Sequence, residues 1–144
     1  LANVLHITGR GNVKDDLKPS HYSQVEFLDK DMAHALAVAD VVLSRAGMNA
    51  LSELAYLAKA AVVVPMPKTH QEDNAAFFAA HGAIFMLDQR ALTPVKFIEA
   101  ARDLLKDQAG QKILSENIIK LMPSRAGARM AKEIINLYEK RKNQ

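Results

Sequence analysis

The sequence predicts an α/β fold, a parallel sheet with helices packed on its faces. Three observations predict it. Short β-branched runs alternate with helical patterns through residue 87. One of those runs, "AAVVVPM" (60–66), is almost continuously apolar, as a strand buried on both faces of a parallel sheet requires. Beyond residue 87 only helical patterns remain, so no further strand is expected.

In chain order, "NVLHITG" (3–9) reads as a strand that ends in the loop "GRGN", and "SQVEFLD" (23–29) as a second strand. "DMAHALAVAD" (31–40) has alanine-rich helical character, with Asp29 or Asp31 as its cap. "VVLS" (41–44) is the third strand. "MNALSELAYLAK" (48–59) is a helix, because Leu51, Leu54, Ala55 and Ala58 recur at i, i+3, i+4 and i+7. After the buried strand at 60–66, "QEDNAAFFAAHG" (71–82) is a helix closed by Gly82. "AIFML" (83–87) is the fifth strand. "TPVKFIEAARDLLKD" (93–107) opens with Thr93 as N-cap and Pro94 at the first helical position. "QKILSENIIKLM" (111–122) is another helix, and Pro123 and Ser124 introduce a last one over about 125–141.

The chain has 144 residues, one domain's worth, and 49% of them are hydrophobic, enough for a real core. It contains no cysteine, which excludes disulfides and thiolate metal sites and fits a reducing compartment. No apolar run approaches the roughly 20 residues that span a bilayer. The start, "LANVLHITGRGN", has neither a basic leader with a cleavage site nor an initiator Met, so a processed chain or an excised piece is expected. The net charge of +3 gathers towards "EKRKNQ", with Arg125, Arg129 and Lys132 before it. That reads as a solvated helix end whose cations suit the dipole, with attraction to anionic lipid or a partner domain as the alternative. Neither an aromatic stacking platform nor a dense basic stripe is present, so nucleic acid is not an expected partner.

Sheets of this kind bind ligands beyond the carboxyl ends of their strands. Those ends are "GRGN", "LDKD", "SRAGMN", "PMPKTHQEDN" and "LDQRA", and the third and fourth are the richest. In "SRAGMNALSE" (44–53), Gly47 lets the backbone approach a ligand and turn sharply into the helix. The N–H groups of Met48, Asn49 and Ala50 point out of that helix start, a ready site for a phosphate or diphosphate. Glu53 lies one turn beyond Asn49 on a similar face. Its carboxylate would repel phosphate but accept two hydrogen bonds, as from a ribose diol. The same residues also fit a plain strand–turn–helix with Asn49 and Glu53 solvated, since no GxGxxG is present. In "PMPKTHQEDNAAFF", Pro65 and Pro67 stiffen the strand exit, and His70, Gln71 and Asn74 open a helix. The amides of Gln71 and Asn74, at i and i+3, share a face and can both donate and accept, as sugar hydroxyls require. A capped surface helix with Glu72 and Asp73 near its positive end is the other reading.

Sharper chemistry finds no support. The triplet Asp29-Lys30-Asp31 serves better as a helix cap than as a divalent-ion site. The histidines lack HxxxH or HExxH spacing, and no G-x-S-x-G elbow exists. No metal and no cofactor are expected.

Two motifs then combine: A-D, an apolar run and S-R-x-G-x-x-x-x-x-E (39–53), followed by H-Q-x-x-N-A (70–75). With the segment "FLDKDMAHALAVADVVLSRAGMNALSELAYLAKAAVVVPMPKTHQEDNAAFFAAHGAIFMLDQ", they resemble the carboxyl-terminal half of the MurG family. These are the UDP-N-acetylglucosamine transferases that complete lipid II in bacterial cell-wall synthesis. The similarity runs from about "HITGRG" to the end of the chain. It implies a Rossmann-like, donor-binding domain of a GT-B glycosyltransferase over 1–144, with carboxyl-terminal helices at about 94–141, incomplete at its amino terminus. It further implies that the backbone at Leu28 meets uracil, that Arg45 lies near the nucleotide and diphosphate, and that Gly47, Met48, Asn49 and Ala50 face the diphosphate. Glu53 would bind the ribose hydroxyls, and Gln71 and Asn74 the N-acetylglucosamine hydroxyls, with His70 beside them.

The implied reaction is an inverting transfer of GlcNAc from UDP-GlcNAc to a lipid-linked muramyl-pentapeptide, at the inner face of the bacterial membrane. Peripheral membrane contact is expected of the full-length protein. The base would come from an acceptor domain absent here, so this chain alone is expected to be inactive. The chain departs from the family pattern at Ala50, where a hydroxyl residue is common, and at Ala58-Lys59-Ala60, where "GKP" is usual. Two other readings fit the residues. One is a non-catalytic nucleotide-sugar-binding subunit acting with a partner chain, and the other an interaction domain whose loops bind nothing.

Overall fold

The computed structural model describes residues 2–14, 16, 19–122 and 126–142. The chain divides into two compact units, Leu1–Val38 and Ala39–Gln144. The first holds β1 (Val4–Ile7), β2 (Tyr22–Val25) and α1 (Met32–Val38). Its two strands pair in parallel, Val4 opposite Tyr22 and Ile7 opposite Val25. The exit of β1 continues the ladder, with Thr8 N donating to the Val25 carbonyl at 2.9 Å and Gly9 N to that of Glu26 at 3.0 Å. Arg10 in the following loop lies over the Phe27 ring, 5.7 Å from its centroid.

The second unit is built on β3 (Val41–Ser44), β4 (Ala60–Val63) and β5 (Phe85–Met86), all parallel, in the order β3-β4-β5. α2 (Met48–Tyr56) joins the first pair and α3 (Gln71–Ala80) the second. A 3₁₀ turn (Gln89–Ala91) leads to α4 (Pro94–Lys106), α5 (Gln108–Leu121) and α6 (Ala126–Lys142). β4 is the central strand and all four of its residues are buried, which explains its unbroken apolar sequence. α5 packs on β4 and α2, α4 on β3 and α5, and α3 on β5. The core is made by Leu51, Leu54 and Ala55 of α2, Val62 and Val63 of β4, Ala75 and Phe78 of α3, Leu104 of α4 and Ile118 of α5. α6 buries none of its residues and leaves Met130, Ile134, Leu137 and Tyr138 exposed. Among the described residues no helix is long and apolar enough to cross a membrane.

The α/β class with parallel strands and flanking helices is as expected, but the described strands form two sheets, β1-β2 and β3-β4-β5, instead of the single sheet expected, and several bounds differ. The paired part of the expected strand 60–66 stops at Val63, because Pro65 carries no N–H for the ladder. Of the expected strand 83–87 only Phe85 and Met86 pair; Ala83 and Ile84 are buried in the turn that leaves α3. The expected helix at 111 begins at Gln108, because the Asp107 side chain accepts from Gly110 N at 2.8 Å and caps it. Thr93 caps α4 as expected, accepting from Lys96 N, with Pro94 at the helix start. The expected introduction of the last helix by Pro123 and Ser124 lies outside the described residues.

α2 ends three residues earlier than its apolar spacing suggests, and Ala58 lies beyond it. Lys59 N donates to the Leu54 carbonyl at 2.9 Å and Ala58 N to that of Ala55 at 3.2 Å. α3 ends in the same pattern, Ala83 N to Phe78 O at 3.0 Å and Gly82 N to Ala79 O at 2.9 Å. Both are Schellman motifs, which need a residue of positive φ after the cap. Gly82 supplies it at φ +60°, whereas Ala58 does so at φ +50° against its own Cβ. Ala58→Gly is therefore expected to stabilise the chain by about 0.5–1 kcal/mol, the relief of a left-handed alanine less the added freedom of the unfolded glycine. Gly82→Ala should destabilise by about 1 kcal/mol for the converse reason. Its new Cβ would also come 3.2 Å from Asn117 Nδ2, which donates to the Gly82 carbonyl. Urea midpoints of the pair check both signs.

Candidate functional site

The loops after β3, β4 and β5 meet at the carboxyl edge of the sheet. The first is Arg45-Ala46-Gly47, between the end of β3 and the start of α2. Gly47 is the N-cap of α2, with φ −65° and ψ 138°, and no side chain caps the helix. The first intrahelical bond is Leu51 N to Gly47 O at 3.0 Å, so the amides of Met48, Asn49 and Ala50 precede it. Three such uncapped donors at a positive dipole end suit an anion. The φ of Gly47 is ordinary for any residue, so the sharp turn expected to need glycine does not need it. What the glycine leaves is room: a Cβ there would meet nothing within 4 Å. Glu53, on the second turn of α2, is exposed, and its carboxylate has no partner among the described residues.

Long-range hydrogen bonds fix this loop. Ala46 is fully buried, and its carbonyl accepts from Asn74 Nδ2 at 3.0 Å. Arg45 Nη1 donates to the Val64 carbonyl at 3.1 Å and also to Gln89 Oε1. Thus α3, the exit of β4 and the turn after β5 all reach the β3 loop.

The β4 loop is stiffened by its own side chains. Met66 N donates to Gln71 Oε1 at 3.1 Å, and Thr69 Oγ1 donates to the Met66 carbonyl at 2.8 Å. Lys68, at φ +60°, donates its N–H to Glu72 Oε2 at 2.7 Å. Glu72 Oε1 also pairs with Arg90 Nη2 at 3.1 Å, and Arg90 Nε with Asp88 Oδ1 at 3.0 Å. The Asp88 side chain caps the 3₁₀ turn by accepting from Arg90 N at 2.9 Å. Hydrogen bonds from the Arg90 side chain, and then its backbone, hold the Asp88 carboxyl below its ordinary value. The same side-chain bond raises the Arg90 guanidinium above its own. Both groups are exposed to solvent, so the pair orders the turn more than it stabilises the fold.

The structure therefore brings Arg45, Gly47, Met48, Asn49, Ala50, Gln71 and Asn74 to connected segments, with Glu53 on the helix those segments open. His70 is exposed at the N-cap of α3 and its side chain caps nothing. Leu28 belongs to the amino-terminal unit, half-buried between β2 and α1. The two amides are less free than their spacing suggests. One end of each is spent on backbone, which leaves the Gln71 amino group and the Asn74 carbonyl for a ligand. Sequence reasoning named Glu72 only as a carboxylate near the positive end of its helix and did not single out Gln89 or Arg90. The available signal was the position of "LDQRA" after a strand, and that does not choose among its residues.

Residues 1–120 match the glycosyltransferase family 28 C-terminal domain. The chain belongs to that family. Its relatives include a UDP-N-acetylglucosamine–N-acetylmuramyl-(pentapeptide) pyrophosphoryl-undecaprenol N-acetylglucosamine transferase of Methylibium petroleiphilum, 38% identical over 95% of this chain and 39% of the relative. The transferase of the same description from Clostridium kluyveri is 32% identical over 97% of this chain and 39% of the relative. Among solved structures, Acinetobacter baumannii MurG superposes with a TM-score of 0.78 at 26% identity, covering 96% of this chain and 41% of that one. The resemblance to the carboxyl-terminal part of MurG, expected from the two motifs, thus holds for sequence and fold. This family 28 chain spans about two fifths of the length of the relatives it matches.

Proposed function

We propose that this chain is the donor-binding part of an inverting glycosyltransferase that takes N-acetylglucosamine from UDP-GlcNAc and passes it to a lipid-linked muramyl-pentapeptide. One observation carries the reading: three strand-end loops are tied together by Arg45 and Asn74 at the uncapped start of α2. In this reading the diphosphate rests on the amides of Met48, Asn49 and Ala50 with Arg45 beside it. Glu53 accepts from the ribose diol, and Gln71 and Asn74 contact the sugar, next to His70.

The acceptor 4-hydroxyl attacks the anomeric carbon, the bond to the diphosphate breaks, and UDP leaves with the electron pair. Charge grows on the diphosphate in that step, and fixed N–H groups with a placed guanidinium stabilise it without reorganisation. The general base and the acceptor's lipid belong, in this proposal, to the part of such proteins that this chain does not span. The whole enzyme then works at the inner face of the bacterial membrane, and the chain alone does not turn over.

Calorimetry with UDP-GlcNAc tests the reading. Saturable binding, displaced by UDP but not by a guanosine diphosphate sugar, supports it; no binding, or binding indifferent to the base, removes it. Gly47→Ala sharpens the test. Its φ suits alanine, so the thermal midpoint should hold or rise, while the new methyl fills the space before the helix and weakens UDP-GlcNAc at least several-fold. An unchanged affinity would move the diphosphate elsewhere.

A further inference from the structure

We propose that Gln89 is a positioning residue for donor binding: its side-chain carbonyl holds Arg45 in place for the diphosphate without cancelling its charge. The inference rests on the donor reading above and names a residue that neither motif contains. An arginine side chain on the surface has many rotamers, and fixing it on binding weakens affinity unless it is already fixed. Arg45 is exposed, yet its Nη1 is held by two acceptors, the Val64 carbonyl at 3.1 Å and Gln89 Oε1. Nη1 carries two hydrogens, so both are used, and Nη2 and Nε, which have no partner among the described residues, can meet an anion.

Neither acceptor is an anion. A carboxylate at 89 would grip the guanidinium more strongly but would neutralise the charge that attracts the diphosphate. A neutral amide fixes geometry and leaves the charge.

Gln89 is itself anchored. It begins the 3₁₀ turn Gln89–Ala91, capped on one side by Asp88. On the other side Arg90 is tied to Glu72 at 3.1 Å. Glu72 lies on α3, which also carries Gln71 and Asn74. The turn after β5 therefore acts as a clasp over the loops after β3 and β4. Its separation of 44 residues from Arg45 explains why no local pattern reveals it.

The test compares Gln89→Ala and Gln89→Glu with the unaltered chain, each also in an Arg45→Ala background. Calorimetry measures UDP and NMR titration measures uridine. Gln89→Ala should weaken UDP by about five- to tenfold, the effect of ordering one long side chain. Uridine should bind as before, and the loss should vanish once Arg45 is alanine. Gln89→Glu should also weaken UDP while leaving uridine and the thermal midpoint unchanged. Independently of any ligand, the order parameter of the Arg45 Nε–H should fall in Gln89→Ala. Unchanged UDP affinity in Gln89→Ala, an equal loss for uridine, or a loss that persists without Arg45 would each overturn the positioning role. An unaltered chain that binds neither UDP nor uridine would instead overturn the donor reading, and the Arg45 order parameter would then still decide whether Gln89 fixes that side chain.

Discussion

Glu53→Ala is expected to weaken UDP-GlcNAc by about 1–3 kcal/mol, the range for losing hydrogen bonds to a charged acceptor, or roughly five- to 150-fold. The argument begins with what the carboxylate lacks. It is exposed, has no partner among the described residues, and stands one turn beyond the amides that open α2. Removing it breaks nothing in the fold, so the thermal midpoint should stay within the scatter of surface substitutions, about 0.5 kcal/mol. Loss of affinity with unchanged stability is the signature of a ligand contact. 2′-Deoxyuridine diphosphate gives the matched control. If Glu53 grips the diol, the deoxy ligand binds the unaltered chain weakly and binds Glu53→Ala no worse. Equal penalties for both ligands in both proteins would refute the ribose assignment.

Phe78→Ala should have the largest effect on stability, a loss of about 3–5 kcal/mol. Phe78 is 2% exposed, and α3 presses it into the core beneath the sheet. Truncation leaves a cavity that close-packed neighbours fill only in part. Against the 5–15 kcal/mol that a typical domain has in hand, such a loss approaches unfolding. Its neighbour supplies the control. Phe77 is 53% exposed and touches the Phe78 ring edge-on at 5.7 Å, so Phe77→Ala should cost about 1 kcal/mol or less. Urea denaturation measures both, and similar values for the two would contradict the burial that separates them. α3 also carries Gln71 and Asn74, so donor affinity should fall with Phe78→Ala even at temperatures where most molecules remain folded.

Much of this is legible in single segments. The alternation of strand and helix, the buried β4, the Thr93 and Pro94 start of α4 and the glycine that ends α3 each follow from local rules: side-chain period, cap chemistry and allowed φ. The candidate loops could be found the same way, because in a parallel sheet they must follow the strands. Less legible were the ends of elements. Ala58 continues the apolar stripe of α2, and nothing in its chemistry announces that it will adopt positive φ; a glycine there would have.

By itself, then, the sequence determined the α/β class, the order of elements and the loops where Arg45, Glu53, Gln71 and Asn74 sit. Only the tertiary structure decided that Asn74 spends its amino group on the Ala46 carbonyl and that Gln89 reaches Arg45. The reason is separation. Those bonds join residues 28 and 44 positions apart, and such pairs have no period, cap or turn signature to betray them. They form because parallel strands bring their carboxyl ends to one edge, where polar groups must find partners or water.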